Sequence, residues 1–506
     1  MSNFMSSMQN TLVNSDHNVA MSENGALGYE TTGKALLDLN FSVASMRKWD
    51  EQQIAVSYMR AFSDNPELAI KWLFFSRDVR GGLGERRLFR IIFNHMANYH
   101  TKAVSHLVPH IAEYGRWDDI VCLLSTRLSG VAFDLIKNQL KIDRDSMIQN
   151  QPISLLAKWL PSINTSSKTS VKLARGLAKG LDISERQYRK MLSSMRKYID
   201  VIEVKMSSKN WGDINYQRVP SKANLLYSKA FLKNDEDRRT QFLDALEKGE
   251  AKINAGTLYP HDIVHKYLGG YNHRRSIEVD QTLEGLWKAL PNTVDPNSRT
   301  MVVADGSGSM DTAVGKDGNV TALEVANALA IYFAERLSGE FRNKYITFSS
   351  RPQFVNFDGC STLVEKLAIA SRYNEVSNTN VAAVFALILE TAVRCHMKQE
   401  EMPTNILLIS DMEFDSCGGR QVDERLFDII QREYQKFGYK VPRLVFWNVN
   451  SRSGMIPVIK NDLGVALVSG FSVNIANMVM SGKTDPYDCL VETLMSDRYA
   501  PITLQA

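Results

Sequence analysis

The 506-residue sequence lacks the features that would place it in a membrane or a secretory pathway. No run of 18 or more apolar residues occurs, so we expect no membrane span and no membrane partner. The first twenty residues lack a basic start and an apolar core, so they do not read as a secretory signal. The five cysteines (Cys122, Cys360, Cys395, Cys417 and Cys489) lack the spacing of a zinc site or of a disulfide framework. A reducing, cytoplasmic location is the resulting prediction.

The common catalytic motifs are also missing. There is no G-x-x-x-x-G-K-[ST] phosphate loop and no G-x-S-x-G nucleophile turn. No paired histidine and cysteine suggests a nucleophile. These absences favour a protein that is not an enzyme. A hydrolase that uses other residues is a third and weaker alternative.

Positive charge is scarce in the C-terminal part of the chain and concentrated in its middle. Residues 299–506 carry 20 Lys and Arg against 24 Asp and Glu, a net charge of −4. Residues 150–275 carry 23 against 12, a net charge of +11. A local surplus of this kind indicates a polyanionic partner, most simply nucleic acid. On composition alone, a set of solvated helix faces would be the better interpretation.

Helical periodicity dominates residues 26–290. Apolar residues recur three and four positions apart in segment after segment, and short polar turns separate the segments. This layout predicts an all-α domain of antiparallel helix pairs, an α-solenoid. Residues 1–25 are polar and are predicted to be a disordered segment. The sequence PNTVDPNS at 291–298 is predicted to be a linker.

Strand and helix patterns alternate through residues 299–506. Predicted strands cover 299–304, 345–348, 406–410, 444–448 and 465–469, with predicted helices between them. This alternation is typical of a doubly wound α/β domain, in which ligands bind at the carboxyl ends of strands. The chain is therefore predicted to be multidomain, with a helical-repeat part followed by an α/β part.

A candidate metal site lies at two of these strand ends. The run MVVADGSGSM at 301–310 places Asp305, Ser307 and Ser309 at alternate positions after a buried strand, with glycines between them. A second apolar run ends on Asp411, and Thr379 lies between the two strands just before a helix. These hard oxygen donors suit Mg²⁺ or another divalent cation such as Mn²⁺.

In type, order and placement, Asp305, Ser307, Ser309, Thr379 and Asp411 resemble the metal-ion-dependent adhesion site (MIDAS) of the von Willebrand factor A fold. The resemblance implies a doubly wound, Rossmann-like domain at 299–506 that binds a divalent metal. Met412 and Glu413 follow Asp411 where many relatives have glycine. We therefore expect the third loop to depart from the family geometry.

Three segments of the helical part resemble a second family. They are SRDVRGGLGERRLF at 76–89, YGRWDD at 114–119 and LAKWLPS at 156–162. Together they are similar to the TROVE module of Ro ribonucleoproteins and to its bacterial and phage relatives. The resemblance implies a ring of HEAT-like repeats closed by a von Willebrand A domain. It also implies binding of small structured RNA outside the ring and of misfolded RNA ends within it.

The segment 171–197 is the predicted RNA-binding surface. Lys172, Arg175 and Lys179 are three and four residues apart, so they share one face of a helix. The basic character continues on the next helix, where the predicted contacts are Arg186, Arg189, Lys190, Arg196 and Lys197. Like charges so close repel one another unless an anionic partner neutralises them. The segment also resembles, loosely, the part of Ro proteins that contacts small RNA.

Two functions follow from these patterns. The first is a non-catalytic, Ro-like scaffold that binds small structured RNA or single-stranded RNA ends. The second is a metal-dependent protein–protein adaptor, in which an acidic protein ligand completes the metal shell. A nuclease is a further possible occupant of the metal site. Binding of RNA with a steep salt dependence would favour the first function over the second.

Overall fold

The structure is a computed structural model. It describes residues 18–268, 278–295, 297–315, 318–348, 351–374, 380–415, 425–459, 463–476 and 484–505. The predicted disordered segment falls largely on residues 1–17, which lie outside the described residues. Residues 18–25 are described and take part in a short hairpin.

Helices account for most of the described secondary structure. The helices up to the middle of the chain are α1 (Ala35–Phe41), α2 (Val43–Met46), α3 (Glu51–Asp64), α4 (Pro66–Arg77), α5 (Arg86–Tyr99), α6 (Thr101–Val104), α7 (Ile111–Tyr114), α8 (Trp117–Cys122), α9 (Ser129–Ile148), α10 (Leu156–Trp159), α11 (Lys168–Gly180) and α12 (Glu185–Tyr198). Those that follow are α13 (Ile202–Ser207), α14 (Ser221–Asn234), α15 (Glu236–Glu247), α16 (Pro260–Leu268), α17 (Gln281–Lys288), α18 (Ala322–Arg336), α19 (Leu363–Ala370), α20 (Val381–Arg394), α21 (Leu426–Lys436) and α22 (Pro486–Leu494).

The strands form a hairpin near the N-terminus and one larger sheet. They are β1 (Ala20–Met21), β2 (Leu27–Gly28), β3 (Thr300–Asp305), β4 (Lys344–Phe348), β5 (Phe354–Asn356), β6 (Asn405–Ser410), β7 (Arg443–Asn448) and β8 (Val465–Ser469). Strands β6, β7 and β8 are almost entirely buried, which is why they read as unbroken apolar runs rather than as alternating ones.

The chain divides into two compact units. The first, here called the α/β unit, comprises residues up to 69 together with 258–498. The second, the helical unit, comprises residues 70–257 together with 499 onwards. A multidomain chain with helical and α/β parts is thus observed.

The sheet of the α/β unit has the strand order β5-β4-β3-β6-β7-β8. All neighbouring strands are parallel except β4 and β5, which are antiparallel. From β3 the chain first adds β4 and β5 on one side and then β6, β7 and β8 on the other. The strand order therefore reverses between β3 and β6. This is the position at which open parallel sheets form ligand-binding crevices.

The α/β unit includes more of the chain than the predicted boundary at 299 allows. The backbone of Tyr29 pairs with that of Ile456, and the Asn448 side chain donates a hydrogen bond to Phe41 O. Helix α1 packs on β8, burying Leu36, Leu37 and Leu39. Residues 26–69, which read as helical repeat by periodicity, are used here to cover the sheet. Apolar spacing identifies a buried helix face but not the surface that covers it.

The predicted linker at 291–298 is held by specific contacts. Tyr332 Oη donates to Pro291 O, and the Thr293 hydroxyl donates to Val473 O at 2.8 Å. Val294 is buried. Proline and asparagine give this stretch the composition of a linker, yet its polar groups are satisfied within the α/β unit.

The helical unit confirms the prediction of helix following helix, and several helices differ in length. The helical pattern over 102–115 is interrupted by a 3-10 helix at Ser105–His110 that contains Pro109. Proline has no backbone N–H and cannot continue the α-helical ladder. The repeat type and ring closure stay predictions.

Two of the three segments that carry the Ro resemblance meet inside the helical unit. Arg77 is buried and forms a salt bridge with buried Asp119 at 2.8 Å, and Arg90 pairs with the same carboxylate at 2.6 Å. A Cβ atom on Gly82 would lie 2.0 Å from Phe75 O, so only glycine fits this turn. A Cβ atom on Gly115 would lie 2.6 Å from Asp119 Oδ2. These motifs are therefore accounted for by packing.

Among the described residues, no helix is both long enough and apolar enough to cross a membrane.

Candidate functional site

The candidate metal site lies at the carboxyl ends of β3 and β6. These strands are parallel neighbours, with Ala304 opposite Ile409 in the register. Asp305 is the last residue of β3, and Asp411 follows the last residue of β6. Parallel strands end at the same edge of a sheet, so the two carboxylates are brought together although 105 residues separate them in sequence.

Hydroxyl and amide groups fix the Asp305 carboxylate. The backbone N–H of Ser307 donates to its Oδ1 at 2.9 Å, and the Ser410 hydroxyl donates to its Oδ2 at 2.7 Å. The hydroxyl oxygens of Ser307 and Ser309 are 2.9 Å apart. The structure therefore brings together four of the five predicted ligands, namely Asp305, Ser307, Ser309 and Asp411. Ser410, which contacts Asp305, was not anticipated.

Asp411 is completely buried and incompletely satisfied. Its Oδ1 accepts from the backbone N–H of Glu413 at 3.3 Å, whereas its Oδ2 has no hydrogen-bond partner. The nearest cation is Arg452, whose Nη2 lies 3.6 Å from that oxygen. A buried carboxylate oxygen without a hydrogen bond is costly, and a bound cation would remove that cost.

Burial and neighbouring negative charge perturb both carboxylates. Burial raises the pKa of Asp305 to about 7, and the negative charge of Asp411 adds to the effect. Burial likewise raises the pKa of Asp411 to about 6; the Ser309 hydroxyl and the Glu413 N–H offset part of this, and the negative charge of Glu413 adds to it. A divalent cation bound between two buried carboxylates would stabilise their charged forms.

The donor set fits a hard cation. Within the described ranges, no group of three or more His, Cys, Asp or Glu side chains is arranged to hold a metal. The site instead combines two carboxylates with the hydroxyls of Ser307 and Ser309. Oxygen donors of this kind suit Mg²⁺, which keeps several waters and often takes only one or two carboxylates. The orphaned oxygen of Asp411 agrees with that chemistry.

The second loop of the predicted site is described only in part. Thr379 lies outside the described residues. Its neighbour Asn380 caps α20, and the Asn380 side chain accepts from the backbone N–H of Ala383. A Cβ atom on Gly306 would lie 3.2 Å from Tyr373 O. The chain that leads to the second loop therefore lies against the loop that carries Asp305.

The third loop explains the departure at Met412 and Glu413. Met412 has φ of 64°, a left-handed conformation that glycine adopts without strain. The buried Glu413 carboxylate accepts four hydrogen bonds, from the backbone N–H groups of Glu23, Arg452 and Ser453 and from the Ser453 hydroxyl. Glu413 thus ties the third loop to the N-terminal hairpin and to the loop after β7. The sequence marks Glu413 as a departure from the family pattern but gives no sign of these contacts.

The predicted RNA-binding residues lie on α11 and α12 of the helical unit. Seven of the eight are exposed: Lys172, Arg175, Lys179, Arg186, Arg189, Lys190 and Lys197. Arg175 forms an exposed ion pair with Glu185 at 3.0 Å, and such pairs contribute little to stability. These seven residues are here called the basic face.

Arg196 has a different environment from the other seven. Its guanidinium is half-buried and donates hydrogen bonds of 2.8 Å to Ala157 O, Leu160 O and the Ser162 hydroxyl. All three partners belong to the LAKWLPS segment. Arg196 therefore fastens α12 to that segment, and its donors are already used.

A polar cleft of about 310 Å³ adjoins the basic face at the start of α11. It is lined by Thr165, Ser166, Lys168, Val171, Lys172 and Arg175. Hydroxyls and cations together are the groups that hold phosphate oxygens. Thr165, Ser166 and Lys168 were not among the predicted contacts, since they precede α11 or begin it and carry no periodic signal.

Comparison with known proteins finds relatives without an assigned activity. Residues 299–496 match a family described as "Domain of unknown function (DUF7788)", and residues 129–299 match one described as "Domain of unknown function (DUF2828)". The chain is also 29% identical over 517 residues to an uncharacterized protein of Acanthamoeba polyphaga mimivirus. That alignment covers 94% of this chain and 87% of the viral protein, so the likeness extends across both units.

Proposed function

We propose that this protein is a non-catalytic RNA-binding scaffold that holds small structured RNA, or single-stranded RNA ends, on the basic face. The observation that carries the proposal is the exposure of seven cations on two consecutive helices, with a hydroxyl-lined cleft at one end. Most of these cations have no carboxylate close by, so their charge is available to a polyanion. The resemblance to Ro proteins supports RNA as that polyanion.

Charge reversal tests the proposal. Replacing Arg175, Lys179, Arg189 and Lys190 with glutamate should weaken RNA binding strongly at about 0.1 M salt, where the screening length is roughly 10 Å. The salt dependence of binding should also become shallower, because fewer counterions are released. Gel-shift titrations with structured and single-stranded RNA at two salt concentrations measure both effects.

A matched control separates local from overall charge. Arg394, Lys398, Lys436 and Lys440 are four exposed cations of the α/β unit, and their replacement with glutamate changes the net charge by the same amount. That variant should bind RNA nearly as the parent does. Equal weakening in both variants would show that only the net charge matters, and unchanged binding in the first would remove the basic face from consideration.

A second candidate function, a metal-dependent adaptor, is favoured by the unsatisfied oxygen of buried Asp411. We propose that Asp305, Ser307, Ser309 and Asp411, with Thr379, hold Mg²⁺, and that an acidic side chain of a protein partner completes the shell. The metal would supply a positive charge with exchangeable positions at the sheet edge. Asp305→Ala should abolish Mg²⁺ binding in calorimetry and leave RNA binding by the basic face unchanged. Unaltered Mg²⁺ affinity in that variant would end the metal proposal.

A further inference from the structure

A line of alternating charges runs outward from the candidate metal site. Arg452 Nη2 lies 3.6 Å from Asp411 Oδ2, and Arg452 Nη1 lies 2.9 Å from the Glu23 carboxylate. Glu23 and Arg452 are both partly exposed, whereas Asp411 is buried. The carboxyl ends of β3 and β6, where Asp305 and Asp411 lie, are here called the metal edge. Arg452 therefore bridges the metal edge and a carboxylate of the N-terminal hairpin.

Lys48 belongs to the same cluster. Burial lowers the pKa of Lys48, and the positive charge of Arg452 lowers it further, while Asp411 and Glu23 act in the opposite direction. Two cationic side chains, from the start of the chain and from the loop after β7, therefore lie beside the metal edge. Neither is needed to hold a cation there, since both repel one.

A charge count indicates what the cluster is suited to bind. A divalent metal would be neutralised by Asp305 and Asp411, and the Glu413 carboxylate already accepts four hydrogen bonds. Arg452 and Lys48 are then balanced by Glu23 and Glu413, and the cluster gains one positive charge once Glu23 moves away. A phosphate monoester presents three terminal oxygens, whereas a carboxylate presents only two. Its three oxygens also match three separate positive groups.

We infer that Arg452 and Lys48 bind the terminal phosphate of a nucleotide or an RNA end beside the metal edge, and that Glu23 occupies Arg452 until this ligand arrives. Arginine matches two phosphate oxygens at once, and lysine acts as a point charge for the third. The inference rests on the proposed metal site and names a phosphate ligand for it in place of the acidic protein side chain of the adaptor proposal. It also gives a role to the N-terminal hairpin, which Glu413 and Arg452 hold against that edge.

Calorimetry of the full chain with saturating Mg²⁺ tests the ligand class. The probes are inorganic phosphate, adenosine 5′-monophosphate, adenosine and acetate. We expect phosphate and the nucleotide to bind and adenosine and acetate not to bind. Tighter binding of the nucleotide than of phosphate would identify a nucleotide end as the source, and equal binding would identify phosphate alone. Acetate binding as tightly as phosphate would overturn the inference.

Variants test the two cations. Arg452→Gln and Lys48→Gln should each weaken phosphate binding about tenfold or more, the effect of losing one charge-assisted hydrogen bond. The control Arg394→Gln removes an exposed arginine of the same unit and should change nothing. Unchanged phosphate affinity in both cation variants would overturn the inference.

Two further measurements distinguish ligand binding from a structural role. Arg452→Gln should leave Mg²⁺ affinity unchanged or raise it, because a cation 3.6 Å from Asp411 is removed. If Arg452 had only a structural role, the same substitution would weaken the binding of both Mg²⁺ and phosphate. Glu23→Gln should tighten phosphate binding severalfold by removing the internal competitor, and weaker binding would contradict the role of Glu23.

The outcomes separate this inference from the proposals on which it builds. Absence of Mg²⁺ binding in the parent protein would end the metal proposal and this inference with it. Mg²⁺ binding without phosphate binding would end this inference alone. Loss of RNA binding in the basic-face variant, with phosphate binding retained, would show that the two anion sites are separate.

Discussion

Among single residues, Met412 and Glu413 show how this chain builds its third loop without glycine. Met412 accepts a left-handed conformation, which costs a non-glycine residue roughly 1–2 kcal/mol. Its side chain is buried and its backbone N–H donates to the Ser410 hydroxyl, so packing and a hydrogen bond offset that strain. Glu413 then points its carboxylate into a ring of N–H donors.

The Glu413 carboxylate should therefore be essential to the α/β unit. Glu413→Gln leaves an amide NH₂ facing backbone N–H groups and should lower the free energy of unfolding by about 2–3 kcal/mol. The control Glu433→Gln affects an exposed pair with Lys436 and should change stability by less than about 0.5 kcal/mol. Chemical denaturation followed by circular dichroism measures both. Equal effects would contradict the role assigned to Glu413.

The raised pKa of Asp305 predicts a pH dependence with a definite sign. The pKa is about 7 in the folded protein against an ordinary 3.8, so the folded state binds more protons between these values. In the absence of metal, the free energy of unfolding should therefore increase as the pH falls from about 7 towards 4. Asp305→Asn removes that dependence. Comparing the thermal unfolding of parent and variant at pH 5 and 8, without Mg²⁺, tests this; identical pH profiles would contradict it.

Mg²⁺ binding should show the opposite pH dependence, because protons and metal compete for the same carboxylates. Affinity should fall as pH drops below about 7, where Asp305 takes up its proton. Calorimetric titration at pH 8 and pH 6 provides the measurement. Mg²⁺ affinity that is independent of pH across this interval would indicate that Asp305 is not a ligand.

At the scale of secondary-structure elements, Gly82 and Gly176 have opposite surroundings. Gly82 lies in a tight turn, and Gly176 lies on an open face of α11. Gly82→Ala places a Cβ 2.0 Å from Phe75 O and should destabilise the helical unit by more than about 3 kcal/mol. Gly176 lies inside α11 with nothing within 4 Å of the added atom. Gly176→Ala should stabilise by about 0.5–1 kcal/mol. Thermal unfolding of the two variants tests whether their effects on stability have opposite signs. A Gly82→Ala protein as stable as the parent would contradict the turn geometry.

Elements with strong local signals were predicted well from the sequence. Strand β8 has its predicted bounds, and β3, β6 and β7 differ by a residue at one or both ends. Asp305 and Asp411 lie at one edge of the sheet because they follow neighbouring parallel strands. Strand β5 was missed, since it is an edge strand with exposed Phe354 and lacks the apolar run of the buried strands. Arg452, Lys48 and Glu23 had no local signal at all, because tertiary folding alone brings them together.

For the whole molecule, the division into units predicts which fragments fold. The predicted domain 299–506 omits α1, the hairpin and residues 258–298, all of which belong to the α/β unit. Expressed alone, it should expose the surface of β8 that α1 covers and should fail to unfold cooperatively. A version that adds residues 18–69 and 258–298 through a flexible linker, and ends at 498, should recover a cooperative transition. A stable 299–506 fragment would support the original boundary.

The hairpin, α1 and α2 cannot be completed until late in synthesis. The Ser22 hydroxyl bonds Phe414 O and the Ala44 N–H bonds the Ser469 hydroxyl, so partners are separated by 392 and 425 residues. At roughly 5–20 residues per second, a ribosome needs about 20–80 s to make the second member of each pair. During that interval the apolar side of α1 has no sheet to cover. The nascent chain is therefore a natural client for a chaperone, and slowing translation should lengthen that dependence.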